Sequence, residues 1–177
     1  ENKIPYFGLC LGLQIMVIEA ARNLLGYEDS NSTEFDETTS FPVIDLMPEQ
    51  LKSLHKGASM RLGLYECKII DSTYTKKIYK SNNIKERHRH RYEVNNKYVG
   101  ELKNVGLISS GVHPEGNLVE IMEYNDHPFM IGVQFHPEFL STPLSPHPLF
   151  VEFVKSALNN KDIRSNKINN EKESKIT

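Results

Sequence analysis

Residues 4–14, Ile-Pro-Tyr-Phe-Gly-Leu-Cys-Leu-Gly-Leu-Gln, decide the fold of this chain. The aromatic and apolar run from Ile4 to Leu9 predicts a short strand that is buried on both faces of a parallel sheet. Directly after Cys10, apolar residues recur at helical spacing until Gly26, which stands where a helix C-cap glycine is expected. The stretch therefore predicts a strand, a sharp turn at Cys10 and a helix.

Two glycines flank the cysteine at this turn, Gly8 and Gly12, each two residues away. This is the spacing of a nucleophile elbow with sulfur in place of oxygen. A tight strand-to-helix turn strains its central residue, and small neighbours relieve the crowding. The helix N-terminus favours a thiolate, and the N–H of Leu11 is available to a developing oxyanion. The same spacing also fits a buried, inert cysteine whose glycines allow close packing, and the pattern alone does not separate the two interpretations.

A general base for Cys10 is predicted at the end of a late strand. Alternating apolar residues at 129–135 indicate a strand that ends just before His136. In an extended segment His136 and Glu138 point the same way, so Glu138 can hold one ring nitrogen while the other faces Cys10. A cysteine nucleophile needs such a base to take its proton and return it to the leaving amine. Taken alone, His-Pro-Glu also fits a loop histidine beside a surface glutamate.

The remaining pattern predicts an α/β chain that ends in a helix and a polar tail. A polar surface loop is expected at 27–41, and an amphipathic helix from Pro148 to Leu158. Because residues 159–177 carry few apolar side chains, we expect a disordered tail after one domain at 1–158. The other elements expected are strands at 60–70, 105–109 and 118–124 and a short helix at 74–79.

Composition excludes several classes of function. With 21 Lys and Arg against 23 Asp and Glu, the formal charge of −2 recruits neither nucleic acid nor an anionic membrane. The two cysteines, Cys10 and Cys67, lie in unlike contexts, which predicts no disulfide scaffold and a reducing, cytoplasmic compartment. Cys67 is expected in the core. No run approaches the roughly 20 apolar residues of a membrane span.

The basic run Arg87-His88-Arg89-His90-Arg91 fits more than one interpretation. Its arginines could neutralise phosphates, but one short patch in a mildly acidic chain is a weak signal for nucleic acid. Its histidines alternate, yet no cysteine or carboxylate framework at ligand spacing accompanies them, so no metal site is predicted. The other histidines are expected at the surface or in turns: His55, His113, His127 and His147.

Together these motifs resemble the triad-type class I glutamine amidotransferases. That family has a G-x-C-x-G-x-Q elbow, matched at 8–14, and a late Q-F-H-P-E, matched at 134–138. Three more motifs look like those of its CTP synthase members: Asn-Ser-Thr-Glu-Phe at 31–35, Met-Arg-Leu-Gly at 60–63 and Glu-Arg-His-Arg-His-Arg-Tyr-Glu-Val-Asn at 86–95. The resemblance implies an α/β, flavodoxin-like three-layer sandwich whose mostly parallel central sheet lacks its first elements.

The resemblance also implies roles for the matched residues. Cys10 would attack the carboxamide carbon of glutamine and form a thioester, with His136 as general base and then acid, and Glu138 as its orienting carboxylate. Glu34 would meet the α-ammonium group and Arg91 the α-carboxylate. The implied glutamine site consists of Leu11, Gly12, Leu13, Gln14, Glu34 and Arg91.

The two charged assignments suit the substrate, because a zwitterionic amino acid needs one acceptor and one bidentate cation. Both also have ordinary structural explanations. Glu34 could lie in the first turn of a short helix capped by Thr33 and Asp36. Arg91 could belong to a solvated basic face.

Partners outside this chain are implied as well. The family's CTP synthase members aminate UTP to CTP in pyrimidine nucleotide biosynthesis, so L-glutamine, a synthase domain that binds ATP, UTP and magnesium, and a homo-oligomer are expected, with no cofactor in this chain. Family members carry a G-G-F-G oxyanion loop before the nucleophile, and none precedes Cys10 here. The alternatives are a truncated, weakly active or inactive interaction module and a related cysteine hydrolase of γ-glutamyl peptides.

Overall fold

The predicted strand, turn and helix are present at the start of the chain. A computed structural model describes residues 3–47 and 60–173, with side chains up to residue 163. In it, strand β1 (Tyr6–Leu9) leads through Cys10 into helix α1 (Leu11–Leu24). The helix ends as predicted, since Gly26 has a φ of 74°, which glycine adopts at little cost.

A six-stranded sheet forms the centre of the molecule, in the order β1-β9-β8-β7-β4-β5. Within this sheet only β1 and β9 pair in parallel, and the other four pairs of neighbouring strands are antiparallel. The expectation of a mostly parallel sheet is therefore wrong for the described residues, whereas the α/β class is confirmed. Short links join β7 to β8 and β8 to β9, and such links allow only antiparallel neighbours. The remaining strands of this sheet are β4 (Arg61–Ile69), β5 (Asn83–His90), β7 (Leu107–Val112), β8 (Val119–Tyr124) and β9 (Met130–Val133).

A second, three-stranded sheet interrupts the predicted polar loop. It contains β2 (Asn31–Ser32), β3 (Pro42–Asp45) and β6 (Glu93–Val94), with β3 in the middle. Val43, Ile44 and Val94 are fully buried against α1 in one core cluster. This small sheet holds the strands on both sides of Glu34, and its strand β6 follows Arg91, which itself follows β5 of the large sheet.

Helices cover both faces of the large sheet, which confirms the three-layer arrangement. The core on one face contains apolar residues of α1 and of α3 (Asn96–Asn104). The core on the other face contains apolar residues of α2 (Tyr74–Tyr79) and α4 (Pro148–Glu173). As predicted, Cys67 is fully buried, in this second core. Within the described residues, no helix combines the length and hydropathy that a membrane span requires.

Helix α4 continues past Leu158, where the apolar pattern predicted its end. No glycine or proline occurs between Asn159 and Glu173 to stop it, and the amide of Asn160 donates to the Lys3 carbonyl at 3.0 Å. The start of the predicted polar tail therefore belongs to a helix. Residues 174–177 of that tail lie outside the described residues.

Candidate active site

Cys10 adopts the strained conformation expected of a nucleophile elbow. Its φ of 50° and ψ of −102° are unusual for a residue with a side chain. A Cβ on Gly8 would lie 2.6 Å from the Gly12 carbonyl carbon and 2.9 Å from the Leu13 nitrogen, so Gly8 is required for β1 and α1 to approach. A Cβ on Gly12 would meet only the Tyr6 hydroxyl, at 3.6 Å. The elbow therefore depends on the first glycine for space, and not on both.

The parallel pairing of β1 with β9 brings the two predicted catalytic segments to one sheet edge. Leu9 is in register with Val133, and the N–H of Cys10 donates to the Val133 carbonyl at 2.8 Å. Because adjacent parallel strands end at the same edge, Cys10 lies beside the residues that follow β9. The first of these, Gln134, is fully buried, and its Nε2 lies 3.8 Å from the Cys10 sulfur.

His136 is oriented by Glu138 as predicted. Its Nδ1 lies 2.7 Å from a Glu138 carboxylate oxygen, which fixes the hydrogen on Nδ1 and leaves Nε2 as the basic nitrogen. That Nε2 is buried and has no hydrogen-bond partner among the described residues. The Phe139 ring stacks on the imidazole, with centroids 5.2 Å apart. The backbone N–H of His136 donates to the Arg87 carbonyl. The ring is thus held with a free lone pair.

Burial raises the pKa of the Cys10 thiol above its ordinary value, although hydrogen bonds from the Leu11 N–H and the Gln134 amide lower it. The negative charges of Glu138 and Glu34 raise it further. The Leu11 N–H at the helix N-terminus favours a thiolate as expected, but burial outweighs this effect in the free chain. Cys10 rests as a thiol and needs a base to remove its proton.

A cavity of about 460 Å³ opens beside Cys10. It brings together five of the predicted site residues: Cys10, Leu11, Gln14, Glu34 and Arg91. Gly12 and Leu13 are not in its lining. Leu13 is fully buried in the core on the α1 face, and the Gly12 carbonyl accepts a hydrogen bond from Tyr6 at 2.8 Å.

Glu34 does not lie in a capped helix. The Thr33 hydroxyl donates to Asp45 at 2.7 Å, and Asp36 accepts from the N–H and hydroxyl of Thr38, so no capping box forms. The Glu34 N–H donates to the buried Ser32 hydroxyl in a tight turn. Glu34 and Arg91 instead line one cavity with opposite charges, on segments held by the small sheet.

Sequence reasoning assigned no role to several residues that line the cavity or lie just behind it. Gln134 was only part of a matched motif, yet its Oε1 accepts from Gln14 at 3.4 Å while its amide reaches Cys10. Gln14 also donates to the Tyr92 carbonyl at 3.1 Å. These contacts join residues that are distant in sequence. The only sequence signal for them was that Gln134 lies between apolar residues of a predicted buried strand. The other lining residues that sequence reasoning missed are Phe35, Met60, Arg89 and His90.

The basic run is a strand with two different faces. Its arginines, Arg87 and Arg89, are exposed, whereas His88 and His90 are buried at 2% and 6% exposure. Of the two positions predicted for His147, surface or turn, the surface is wrong: His147 lies in the loop before α4, and its Nε2 is buried 2.9 Å from Glu86. His55 lies outside the described residues. In the part of the chain that the structure describes, no three His, Cys, Asp or Glu side chains are grouped to hold a metal ion.

Behind the cavity, five side chains form a buried charge cluster: Arg61, His88, His90, Glu93 and Glu120. Arg61 donates to Glu120 at 2.7 Å and to Glu93 at 3.2 Å. Burial raises the pKa of Glu93 to about 8 and that of Glu120 to about 7. Burial and the charge of Arg61 lower the pKa of His88 to about 2 and that of His90 to about 3.

From this cluster we predict how the free energy of unfolding depends on pH: it should be roughly constant over an intermediate range and fall at both lower and higher pH. Raised carboxyl pKa values mean that the folded chain keeps protons which the unfolded chain loses above pH 4.5, so stability declines as pH rises through 7 to 8. Lowered imidazole pKa values mean that stability declines as pH falls below 6.5. Between pH 4.5 and 6.5 the two effects oppose each other. Each group changes the slope by about 1.4 kcal/mol per pH unit.

Denaturant unfolding at half-unit pH intervals from 3.5 to about 8.5 checks this curve. We expect the alkaline fall to shrink in Glu120→Gln, because an amide does not titrate. A stability that rises steadily from pH 6.5 to 8 would contradict the protonated state of both carboxyl groups.

Comparisons with known proteins agree with the family that the sequence motifs resemble. The sequence model of the family described as Glutamine amidotransferase class-I matches residues 1–156. A CTP synthase of Caldanaerobacter subterraneus is 58% identical over 159 residues, and one of Treponema denticola is 56% identical over 161 residues. These alignments cover 90% and 91% of this chain. The chain spans about 30% of the length of each of these relatives.

Solved structures agree as well. The glutaminase domain of Trypanosoma brucei CTPS with bound acivicin is 42% identical and superimposes with a TM-score of 0.84, covering 89% of this chain and 61% of that one. A protein from Thermoplasma acidophilum is only 17% identical, with a TM-score of 0.50, and supports the fold alone.

Proposed function

Since this chain belongs to the class I glutamine amidotransferase family, we propose that it hydrolyses the side-chain amide of L-glutamine and supplies the ammonia to a CTP synthase of which it is a part. One observation carries the proposal. His136 has a buried, unpartnered Nε2, with Glu138 on its other nitrogen, at the sheet edge that also presents Cys10 in an elbow conformation. Such an arrangement suits a thiol that must lose and regain a proton during each turnover.

In the first half-reaction, His136 Nε2 takes the Cys10 proton as the sulfur attacks the carboxamide carbon. The carbonyl oxygen becomes an oxyanion, to which the Leu11 N–H is available at the start of α1. The intermediate collapses when His136 returns the proton to the departing nitrogen. Ammonia leaves, and a thioester joins the glutamyl group to Cys10.

The second half-reaction uses the same groups with water as nucleophile. His136 takes a proton from the water, whose oxygen attacks the thioester carbon. Collapse of this intermediate returns the proton to the sulfur and releases glutamate. Glu138 stabilises the imidazolium that forms in both halves. The open cavity beside Cys10 gives water a route to the thioester.

Substrate recognition is proposed to rest on the opposite charges of Glu34 and Arg91. A free amino acid presents one cation and one anion, so one acidic and one basic group in the same cavity fix its orientation. Gln14 is already oriented by Tyr92 and Gln134, which leaves it little freedom to move when glutamine binds. The side chain of Leu13 takes no part.

The remaining steps are proposed for a longer, cytoplasmic parent protein. We infer that a synthase domain binds ATP, UTP and magnesium, that the ammonia aminates UTP to CTP, and that the parent is a homo-oligomer. The 58% and 56% identities to CTP synthases support this parent reaction over a γ-glutamyl peptide hydrolase.

A chloroketone analogue of glutamine tests the nucleophile. We expect one equivalent of label on Cys10, found by peptide mapping, because the analogue binds in the cavity and its electrophilic carbon replaces the carboxamide. Cys67 is the internal control, since it is fully buried and its thiol pKa is strongly raised. Excess glutamine is expected to slow the labelling. Labelling of Cys67, or labelling of Cys10 that glutamine does not slow, would overturn the proposal.

A further inference from the structure

A series of hydrogen bonds connects the buried charge cluster to Cys10. The Tyr92 carbonyl within this series determines which atoms donate and which accept. The Tyr92 carbonyl can only accept, so the His90 Nδ1 that lies 3.1 Å from it must carry a hydrogen. The same carbonyl accepts from Gln14 at 3.1 Å, and Gln14 leads through Gln134 to the Cys10 sulfur. His90 and the amide of Gln14 therefore share one acceptor.

The tautomer of His90 fixes that of His88. A neutral His90 with hydrogen on Nδ1 has a bare Nε2, and His88 Nδ1 lies 2.8 Å from it. His88 must therefore donate through Nδ1, which leaves its own Nε2 bare as well. That nitrogen lies 3.3 Å from the Glu120 Oε2 atom, and neither atom has a hydrogen-bond partner among the described residues. Two lone pairs so close in a buried site require one proton between them.

We propose that Glu120, as a neutral carboxylic acid, donates to His88, and that Glu120, His88 and His90 are positioning residues for the reaction at Cys10. Their ordered hydrogens hold the Tyr92 carbonyl in place to accept from Gln14. The Gln14 amide then holds the Gln134 oxygen, and the Gln134 amide donates to the sulfur. This inference rests on the proposed function for its catalytic consequence, but not for the placement of the protons.

The contacts of Glu120 leave one oxygen for the acid proton. Its Oε1 accepts from Arg61 at 2.7 Å, and its Oε2, which has no other hydrogen-bond partner among the described residues, faces His88. Burial raises the pKa of Glu120, and burial with the Arg61 charge lowers that of His88, so the shared proton resides on oxygen near neutral pH. The titratable and charged groups that face this pair come from five elements. They are Arg61, Tyr65 and Cys67 from β4, His90 from β5, Glu93 from β6, and His113 and His136 from the segments after β7 and β9.

Loss of the proton from Glu120 would exchange the donor and acceptor roles of the ring nitrogens of His88 and His90. With Glu120 ionised, His88 would have to present a hydrogen from Nε2, and its Nδ1 would become bare. His90 would then turn its own hydrogen toward His88, which leaves a lone pair facing the Tyr92 carbonyl. That repulsion would move the carbonyl away from Gln14 and weaken the hydrogen bond that stabilises the Cys10 thiolate.

Imidazole nitrogen NMR of the histidine-labelled 177-residue chain tests the proton placement without any need for activity. At pH 6 we expect His88 and His90 to be neutral, with hydrogen on Nδ1, and this signature to persist in Glu120→Gln, whose amide also donates. In Glu120→Leu both rings should keep the Nδ1–H form, because the Tyr92 carbonyl still accepts from His90, but the His88 Nε2 signal should shift to that of a nitrogen without a hydrogen bond. In the wild-type chain, titration through pH 7 to 8 should convert both rings to the Nε2–H form as Glu120 ionises. An imidazolium at His88, or the Nε2–H form in the wild-type chain at pH 6, would overturn the proposal. If Glu120→Leu does not fold, the wild-type titration by itself tests the proton placement.

The pH profile of kcat/KM for glutamine hydrolysis tests the catalytic consequence. We expect a decrease of about 2- to 10-fold on the alkaline side in the wild-type chain, the equivalent of one hydrogen bond. The decrease should disappear in Glu120→Gln and remain in Glu93→Gln, which alters the same cluster without touching His88. An unchanged profile in Glu120→Gln would overturn the positioning role. If no variant hydrolyses glutamine, the proposed function fails, while the NMR result still decides the proton placement.

Discussion

Replacing His136 with alanine is expected to lower kcat for glutamine hydrolysis about 10²- to 10⁴-fold, the usual contribution of a positioned general acid and base. The reason is the resting state of the nucleophile, because burial keeps the Cys10 thiol protonated and the proposed base is the bare Nε2 of His136. KM should change little, since the imidazole is not in the lining of the cavity. Steady-state assays of ammonia release measure both constants.

Two companion variants sharpen this result. Cys10→Ala should reduce turnover to background, because no thioester can form. Glu138→Gln should lower kcat less than His136→Ala does, since an amide oxygen still accepts from Nδ1 at the position of the carboxylate. If His136→Ala kept near-normal kcat while Cys10→Ala abolished turnover, another base would serve Cys10 and the role of His136 would be wrong.

Replacing Gly8 with alanine is expected to destabilise the fold by about 3 kcal/mol, the upper part of the range for overpacking. The added Cβ would lie 2.6 and 2.7 Å from the carbonyl carbon and oxygen of Gly12 and 2.9 Å from the Leu13 nitrogen. All three are backbone atoms, so no side-chain rotation relieves the clash, and α1 must move away from β1. A decrease in melting temperature of about 6–12 °C corresponds to this loss in a domain of this size.

Gly12→Ala is the matched control for this substitution. A Cβ there meets only the Tyr6 hydroxyl at ordinary van der Waals distance, in a helical position where alanine is favoured over glycine. We expect its melting temperature to equal or exceed that of the wild-type chain. Equal losses in Gly8→Ala and Gly12→Ala would show that the close approach of β1 and α1 is not what requires a glycine at residue 8.

Local patterns were sufficient to predict the conformation around Cys10 and the pairing of His136 with Glu138. A glycine two residues before a cysteine at a strand-to-helix boundary, and a histidine two residues before a glutamate after a strand, are short-range arrangements. Their geometry is set by turns and by extended backbone, which sequence specifies directly. The strand, turn and helix around Cys10 and the orientation of His136 by Glu138 followed on that basis.

Contacts between segments that are distant in the chain were harder to predict from the sequence. The prediction of a mostly parallel sheet failed because strand direction depends on how connections cross the sheet, and the links from β7 to β8 and from β8 to β9 are too short for a crossover. The end of α4 was misplaced because apolar spacing marks only the packed part of a helix. The interpretation of His147 failed because its partner, Glu86, is far away in sequence.

By itself, the sequence determined that Cys10 sits in an elbow and that His136 and Glu138 form a pair, since both depend on residues within a few positions of one another. Only the tertiary structure decided that Gly8, and not Gly12, makes room for the elbow, and that the thiol beside it is held protonated by burial. It also decided that Gln134 lies against the sulfur and that Glu120 lies behind His88. Close approach, desolvation and shared protons arise between segments far apart in the chain, and they exist only once the sheet has brought those segments together.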